Sequence, residues 1–264
     1  MFINSFLAWS SDPTDFEANL QLLYRCGYQG TFVNVVDAKE YKILINSTYF
    51  HKKPPAISLP LQISSLKFYQ TPSSPILLFP RVTLEPKNVS GLKQELAQWV
   101  GRRCLIAVQS TNKEILEVAA RDGRVDLITL PSMEYFKNIS KGVLSLLKQN
   151  RVYLDLHINE LITSYGNKRT RILRNLYKLF KQAKPFTYSY LLGVGEHPSK
   201  IPLQYYRGPR EIGAILISLL NIPEVQVNKI LRENGEQKAL QFIKRDLKVF
   251  IQPGVEIVNK NSKL

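Results

Sequence analysis

Apolar and polar positions follow two kinds of pattern along the chain. Short apolar runs rich in Val, Ile and Leu indicate buried strands, whereas apolar residues three or four positions apart indicate amphipathic helices. The predicted strands are 5–9, 31–36, 76–84, 104–109, 125–130, 151–158 and 185–190. The predicted helices are 13–26, 89–100, 112–121, 138–149, 160–183, 209–221, 224–233 and 235–245. Residues 40–75 show neither pattern and are predicted to be irregular, apart from one apolar run, ISLPLQI, that fits a strand.

This order of elements indicates an α/β fold. Strands that alternate with helices of 10–20 residues are typical of a parallel sheet covered by helices. Seven or eight such units in roughly 250 residues fit a closed, TIM-like (β/α) barrel better than an open sheet, and no G-x-G-x-x-G follows the first strand. We therefore expect a single barrel domain over 1–245. A C-terminal extension over 246–264 would form a short hairpin around Pro253 and Gly254, with a frayed end.

The helix ends carry local signals of their own. Asp12 is the expected N-cap of the first helix, which begins at Pro13, and Gly27 follows its end. Cys26 and Cys104 are the only cysteines of the chain, and both lie in apolar surroundings that indicate core positions. Two cysteines are too few for a disulfide scaffold, so we expect a reducing, cytoplasmic location.

The net charge changes the picture. The 264 residues include 36 Lys and Arg against 21 Asp and Glu, a formal net charge of +15. An excess of this size favours a polyanionic partner, either a nucleic acid or an anionic membrane surface. No apolar run reaches the roughly 18 residues that a membrane span needs, and the N-terminus has no basic region typical of a signal peptide.

The positive charge is concentrated on one predicted helix. Residues 161–195 contain no Asp or Glu. The cations of this stretch are Lys168, Arg169, Arg171, Arg174, Lys178, Lys181 and Lys184. At about 100° per residue, five of them share an arc of roughly 140°, and the opposite side is filled by Tyr165, Ile172, Leu173, Leu176, Leu179, Phe180 and Ala183. RNA phosphates are the external anion that such a face fits best.

Other interpretations of the basic helix stay open at the level of sequence. One alternative is a basic face that is simply solvated. Another is a face whose acidic partners are supplied by a neighbouring loop. A membrane or a calmodulin-like partner is disfavoured, because the apolar side of the helix is needed for the core.

A second basic feature is a helix start, YRGPREIG, at 206–213. Pro209 suits the first turn of a helix, and the free N–H groups there can hold a phosphate. Arg207 and Arg210 oppose the helix dipole, which indicates a function beyond helix stability. In a barrel this loop follows the last strand, and loops after late strands often bind phosphate. The alternative is local pairing of Arg210 with Glu211.

Candidate catalytic residues are few. In the strand YLDLHIN, alternation places Asp155 and His157 on the face that points into a barrel, where they could act as an acid–base pair or as metal ligands. The chain has three His and no paired Asp or H-x-H motif, so we interpret Asp155 and His157 as structural. The sequence therefore predicts no catalytic residue and no metal site on this chain. The competing hypothesis is a metal-dependent phosphoesterase.

Three stretches together resemble one known family. They are NKEILEVAARDGRVDLITLP at 112–131, VYLDLHIN at 152–159 and YRGPREIGAILISLLNI at 206–222. In this order, over roughly 100–235, they resemble protein component 3 of archaeal ribonuclease P and its eukaryotic thirty-kilodalton homologue. Asp155 and Glu211 stand where that family usually shows Glu and Asp.

The resemblance implies a TIM-like barrel related to polymerase-and-histidinol-phosphatase domains that has lost their metal cluster. It further implies an accessory subunit that binds RNA and supports the catalytic RNA, which hydrolyses the phosphodiester to remove the 5′ leader from precursor tRNA. The implied partners are the ribonuclease P RNA, protein component 2, other protein subunits and, indirectly, precursor tRNA. Mg²⁺ would be bound with the RNA, and no cofactor by the protein. A scaffold that contacts only other proteins is the third hypothesis.

Overall fold

The computed structural model describes residues 1–47, 76–184, 190–193, 207–244, 250–252 and 255–256. The strands are β1 Ile3–Ala8, β2 Gly30–Val35, β3 Leu77–Leu84, β4 Leu105–Val108, β5 Leu127–Leu130, β6 Tyr153–His157, β7 Tyr190–Gly193, β8 Phe250–Gln252 and β9 Val255–Glu256. The helices are α1 Pro13–Arg25, α2 Ala38–Asn46, α3 Val89–Gln98, α4 Lys113–Arg121, α5 Met133–Phe136, α6 Lys141–Asn150, α7 Asn159–Thr163, α8 Gly166–Ala183, α9 Pro209–Ser218, α10 Glu224–Asn228 and α11 Asn234–Lys244, with one π-helical turn at Lys229–Glu233.

Seven strands form one parallel sheet. Strands β1 to β7 pair in the order in which they follow along the chain, and every pairing is parallel. Strands β1 and β7, at the two edges of this sheet, also contact each other. The sheet therefore curls into a nearly closed barrel, and the predicted α/β, TIM-like barrel is confirmed. The division at 245 stays a prediction, although β8 and β9 do pair antiparallel on either side of 253–254.

Two apolar layers hold the barrel together. The larger layer lies between the outer face of the sheet and the helices, and it contains Leu20, Val33, Leu116 and Leu154. The smaller layer lies inside the barrel, where the strands alternate their side chains inward. Burial of both faces of β1 to β6 explains why these strands appear as nearly continuous apolar runs in the sequence.

The amino end of the barrel interior is closed by α11. Phe242 packs its ring against Phe79 with centroids 5.7 Å apart, and Ala239 joins the same cluster. Beside them the buried Lys238 ammonium lies 3.2 Å from the Asp126 carboxylate. The helix thus seals an apolar floor, above which the interior becomes polar.

The structure corrects the prediction for residues 40–46. They belong to α2, because Asp37 caps this helix by accepting from the backbone N–H groups of Lys39 and Glu40, and because Tyr41 and Leu44 bury its inner side. The remaining residues of the supposed irregular region, 48–75, including ISLPLQI, lie outside the described residues, as do 185–189 of the predicted last strand.

The predicted single helix over 160–183 is also wrong. Ser164 and Tyr165 have extended backbones and separate α7 from α8, and Gly166 begins the second helix with a φ of +55°. The predicted helices at 224–233 and 235–245 are joined instead, since the π-helical turn continues directly from α10 into α11. None of the helices in the described ranges combines the length and apolar composition that crossing a lipid bilayer requires.

Candidate nucleic-acid interface

The long helix α8 presents a basic face to solvent. The name basic face is used for the seven exposed cations of α8 and its C-cap, five of which share one arc: Lys168, Arg169, Arg171, Arg174, Lys178, Lys181 and Lys184. The opposite side of the helix is buried against the core through Ile172, Leu176, Leu179 and Ala183. The outward orientation of the cations is therefore confirmed, while their contact with RNA stays a prediction. Tyr165 is not on the apolar side as predicted, because it precedes the helix and is 88% exposed.

One of the seven cations has an acidic partner. The Lys168 ammonium lies 3.3 Å from a carboxylate oxygen of Glu160 on α7, whose other oxygen accepts the backbone N–H of Met133. For the other six, no carboxylate among the described residues comes within the 4.0 Å of an ion pair. The neighbouring-loop alternative thus applies to Lys168 and leaves the rest of the face unmatched within the part of the chain that the structure describes.

The unmatched cations repel one another. Arg171 and Arg174 are three positions apart, and Arg174 and Lys178 are four apart, so each pair lies on the same side of α8. Such like-charged pairs cost a few tenths of a kcal/mol each. A row of phosphates laid along this face would replace repulsion with attraction.

The helix start at Arg207 is held by close packing. Gly208 sits against the carbonyl oxygen of Cys26, where any β-carbon would collide, and the hydroxyl of Tyr28 donates to the carbonyl of Arg207 at 3.3 Å. Glu211 closes a capping box, since its carboxylate accepts the backbone N–H of Gly208 at 2.8 Å. Glycine is therefore required at 208 because of this close approach.

These contacts decide where the two arginines lie and what they pair with. Arg207 is half-buried and Arg210 is exposed. Glu211 is used for capping, and no carboxylate of the described residues forms an ion pair with Arg210, so the predicted alternative of local pairing between Arg210 and Glu211 is not observed. Tyr205 and Tyr206 lie outside the described residues.

The start of α9 follows the last barrel strand in the chain, as predicted, but it packs at the amino edge of the sheet. Cys26 and Tyr28 lie between the end of α1 and the start of β2, which is the amino edge of the sheet. The start of α9 packs there because only glycine at 208 permits the approach to Cys26. Burial, reinforced by the Glu211 carboxylate, raises the pKa of the Cys26 thiol, and Arg207 opposes that shift. Cys26 is accordingly a packing residue, as the sequence indicates.

The two basic features lie toward opposite ends of α9. The C-terminal half of α8 approaches the other end of α9, at Ile217 and Leu220. Arg210 lies seven residues before Ile217, which is about 10 Å along the helix axis. The basic face and the arginine pair are therefore separate candidate contacts.

Asp155 and His157 point into the barrel as predicted, and a third residue dominates their surroundings. The Arg81 guanidinium is fully buried and lies 2.6 Å from Asp155 Oδ2. It also donates to the Ser5 carbonyl at 2.5 Å and to Thr129 Oγ1 at 2.6 Å. His157 Nε2 is 3.0 Å from the same Asp155 oxygen. Burial by itself would raise the pKa of Asp155, but Arg81, followed by His157, outweighs it and holds that pKa well below its ordinary value.

Asp155 therefore forms a buried ion pair with Arg81 that favours its ionised form, and its interpretation as a structural residue stays a prediction. No group of three or more His, Cys, Asp or Glu that could hold a metal ion occurs among the described residues. His51 and His197 fall outside the described ranges. A carboxylate that is already engaged by a guanidinium is poorly suited to the metal-ligand role of the phosphoesterase hypothesis.

Three buried charged residues, Arg81, Asp126 and Lys238, were not predicted from the sequence. The sequence contains one signal for Arg81, which interrupts the apolar strand LLFPRVTL. Arg81 is two positions after Phe79, so both side chains point into the barrel. A lone cation on the inner side of a barrel strand requires an anion on another strand, and Asp155 also points inward from its strand. Asp126 and Lys238 are 112 positions apart, and no local pattern connects them.

A family model matches most of the chain. The model of a family described as RNase P subunit p30 matches residues 1–237, a wider range than the three motifs cover. Among solved structures, a chain of the cryo-EM structure of archaeal Ribonuclease P with mature tRNA aligns with a TM-score of 0.69 at 15% identity. That alignment covers 98% of this chain and 100% of the other. At 15% identity the alignment is evidence of a shared fold and of nothing further.

Further structural matches are much weaker. Plasmodium falciparum HPPK-DHPS aligns with a TM-score of 0.30 at 12% identity, over 80% of this chain and 35% of the other. Xanthomonas albilineans Dihydropteroate synthase aligns with a TM-score of 0.27 at 14% identity, over 91% and 80%. Neither supports a conclusion. The search of curated proteins finds no match.

Proposed function

The chain belongs to the RNase P subunit p30 family, and we propose that it is an RNA-binding protein subunit of ribonuclease P, the ribonucleoprotein endonuclease that removes the 5′ leader from precursor tRNA. In this proposal the RNA performs the hydrolysis with Mg²⁺, and the isolated chain is not catalytic. Its partners are the ribonuclease P RNA, protein component 2 and other protein subunits, with precursor tRNA contacted indirectly. The particle would act in the cytoplasm.

The observation that carries the proposal is the basic face of α8. Six of its seven cations have no carboxylate partner within the described ranges. The whole chain also carries a net charge of +15, which favours a polyanionic partner. A folded RNA brings phosphates into close proximity, and each phosphate neutralised by Lys or Arg releases condensed counterions. The protein would thereby lower the concentration of Mg²⁺ that the RNA needs in order to fold.

The buried side of α8 supports this role. Ile172 and Leu176 fix the helix to the barrel, so the exposed cations are held in one row instead of on a flexible tail. A rigid row loses little conformational entropy when it binds, and regularly spaced cations can follow an RNA backbone without reading its sequence. We expect the contact to be insensitive to RNA sequence and sensitive to salt.

The test is charge reversal on the face. Arg171→Glu, Arg174→Glu and Lys178→Glu, combined in one variant, should raise the Mg²⁺ concentration at which the reconstituted particle reaches half of its full activity. Direct titration with the RNA should give a log–log salt dependence that is shallower by about one unit for each phosphate that the variant no longer binds. Measurements at low Mg²⁺ are the sensitive ones, because excess Mg²⁺ can replace the protein charges.

A control variant with the same change in net charge is available elsewhere on the surface. Lys42→Glu, Lys87→Glu and Lys93→Glu alter exposed lysines on or beside α2 and α3. The control should shift the Mg²⁺ requirement and the salt dependence much less. Equal effects of the two triple variants would show that only overall charge matters, and would contradict the assignment to α8.

A further inference from the structure

A groove of about 560 Å³ lies beside the basic face, between the C-terminal half of α8 and the turn that joins α9 to α10. Its floor is apolar and buried, and is formed by Leu220, Ile222 and Ile230. Its rims are open to solvent, since Tyr177 is 46% exposed and Ile217 is 42% exposed. The groove therefore offers apolar surface that can be reached from outside.

The turn between α9 and α10 shapes this groove. Asn221 adopts a left-handed conformation with a φ of +51°, which residues with short polar side chains tolerate better than others. The N–H of Ile222 then donates to the carbonyl of Leu216 at 3.1 Å. This bond folds the chain back, so that Ile222 and Pro223 line the groove. The shape is thus built into the backbone and does not depend on side-chain rotamers alone.

The chemistry of the groove differs from that of the rest of the basic face. Lys181 and Lys184 lie on one side of it, and Glu224 is the one acidic residue among the described residues that line it. Phosphate backbones require cations and gain nothing from a floor of Leu and Ile. An apolar centre with a charged rim is instead the usual arrangement of a protein–protein interface, and exposed Ile217 and Tyr177 extend the apolar area.

We propose that the groove binds a segment of another protein, in which large apolar side chains are flanked by Asp or Glu. The apolar side chains contact Leu220 and Ile222, and the acidic ones pair with Lys181 and Lys184. The cations nearer the start of α8 are then the ones left for the RNA. A second copy of this chain does not fit this description, because its own net charge of +15 would be brought against the two lysines. This proposal rests on the proposed function for the identity of the particle in which the partner is found.

The test uses site-directed photocrosslinking in the assembled ribonucleoprotein particle. A benzophenone amino acid placed at position 217, in place of Ile217, should form adducts with a protein subunit. The adducts should map to a stretch of that subunit with apolar residues next to Asp or Glu. The same probe at position 165, in place of the exposed Tyr165 that precedes α8, serves as the RNA reporter.

Charge reversal then tests the rim. Lys181→Glu combined with Lys184→Glu should reduce the protein adduct at position 217 about tenfold. The matched control, Lys42→Glu with Lys93→Glu, should leave its yield unchanged.

The outcomes separate this inference from the proposed function. Adducts from position 217 that contain only RNA, only a second copy of this chain, or nothing at all overturn the groove proposal. If position 165 still yields RNA adducts in those cases, the RNA-binding function stands without it. Loss of RNA adducts at position 165 together with normal protein adducts at position 217 contradicts the RNA-binding face and leaves the groove intact.

Discussion

Positively charged side chains are paired with carboxylates in the interior of the barrel but are mostly unpaired on the outer side of α8. Inside, Arg81 and Lys238 are both at most 2% exposed, and each has its own carboxylate at 2.6 Å and 3.2 Å. Outside, only Lys168 of the seven cations on the basic face has an acidic partner among the described residues. The same residue types are therefore paired in one region and largely unpaired in the other.

The difference follows from solvation. A buried guanidinium without an anion costs several kcal/mol, so a buried cation is kept only together with its partner. An exposed cation is hydrated and needs none. Pairing inside is thus explained by the cost of burying a charge, whereas the unpaired charge outside is available to another molecule. Function is to be looked for in the second region.

Removing the buried cation should give the largest effect. Arg81→Met leaves Asp155 ionised in the interior without its main partner, and the free energy of unfolding should fall by about 3–5 kcal/mol in urea titrations. The double variant Arg81→Met with Asp155→Leu removes both charges and should recover much of that loss. If the double variant is as unstable as the single one, packing of Arg81 and not its charge is what matters.

Acid should produce the next largest effect through the same pair. The pKa of Asp155 is held below its ordinary value, so the folded protein binds a proton there less readily than the unfolded chain does. The stability from this group is complete above the unfolded pKa of about 3.9 and is lost as the pH falls toward the folded pKa. Unfolding midpoints should decrease below about pH 4, and the decrease should be smaller in the double variant. Equal acid sensitivity of the two proteins would assign the effect to other carboxylates.

The smallest effect on stability should come from an exposed, unpaired cation. Arg210 lies in the first turn of α9, where a positive charge opposes the helix dipole. Arg210→Ala should leave the free energy of unfolding unchanged or increase it by at most about 1 kcal/mol, so the melting temperature should not fall. RNA binding should weaken in the same variant. Arg210→Lys is the control that keeps the charge. A clear loss of stability in Arg210→Ala would place Arg210 with the structural cations instead.

The sequence was sufficient for those parts of the fold that depend on local pattern. Apolar runs predicted β1 to β6 at or near their observed positions, and Asp12 caps α1 as expected, accepting from Thr14. Of the predicted last strand, 185–190, only residue 190 belongs to the observed β7, and 185–189 lie outside the described residues. Helix α2 was missed because its nine residues bury only Tyr41 and Leu44, too few to produce a clear period. The break before α8 was missed because Ser164 and Tyr165 are compatible with a helix, and only Gly166 hints at a stop.

The site was predicted less completely, because its main features depend on residues far apart in the chain. The outward direction of Arg171 and Arg174 follows from helical periodicity alone. The partnership of Arg81 with Asp155 requires two strands that are brought together only by the barrel. The position of Arg210 at the amino edge depends on Gly208 meeting Cys26, a contact that no spacing rule predicts.

The closure of the barrel floor by α11 has a consequence for synthesis on the ribosome. Phe242 completes a cluster that begins with Ile3, so the apolar lumen stays open to water until residue 242 has left the exit tunnel. Helix α8 emerges before that, so its cations are exposed before the barrel is closed. Until Phe242 has emerged, the nascent chain exposes apolar surface, which is the situation in which chaperones engage growing polypeptides.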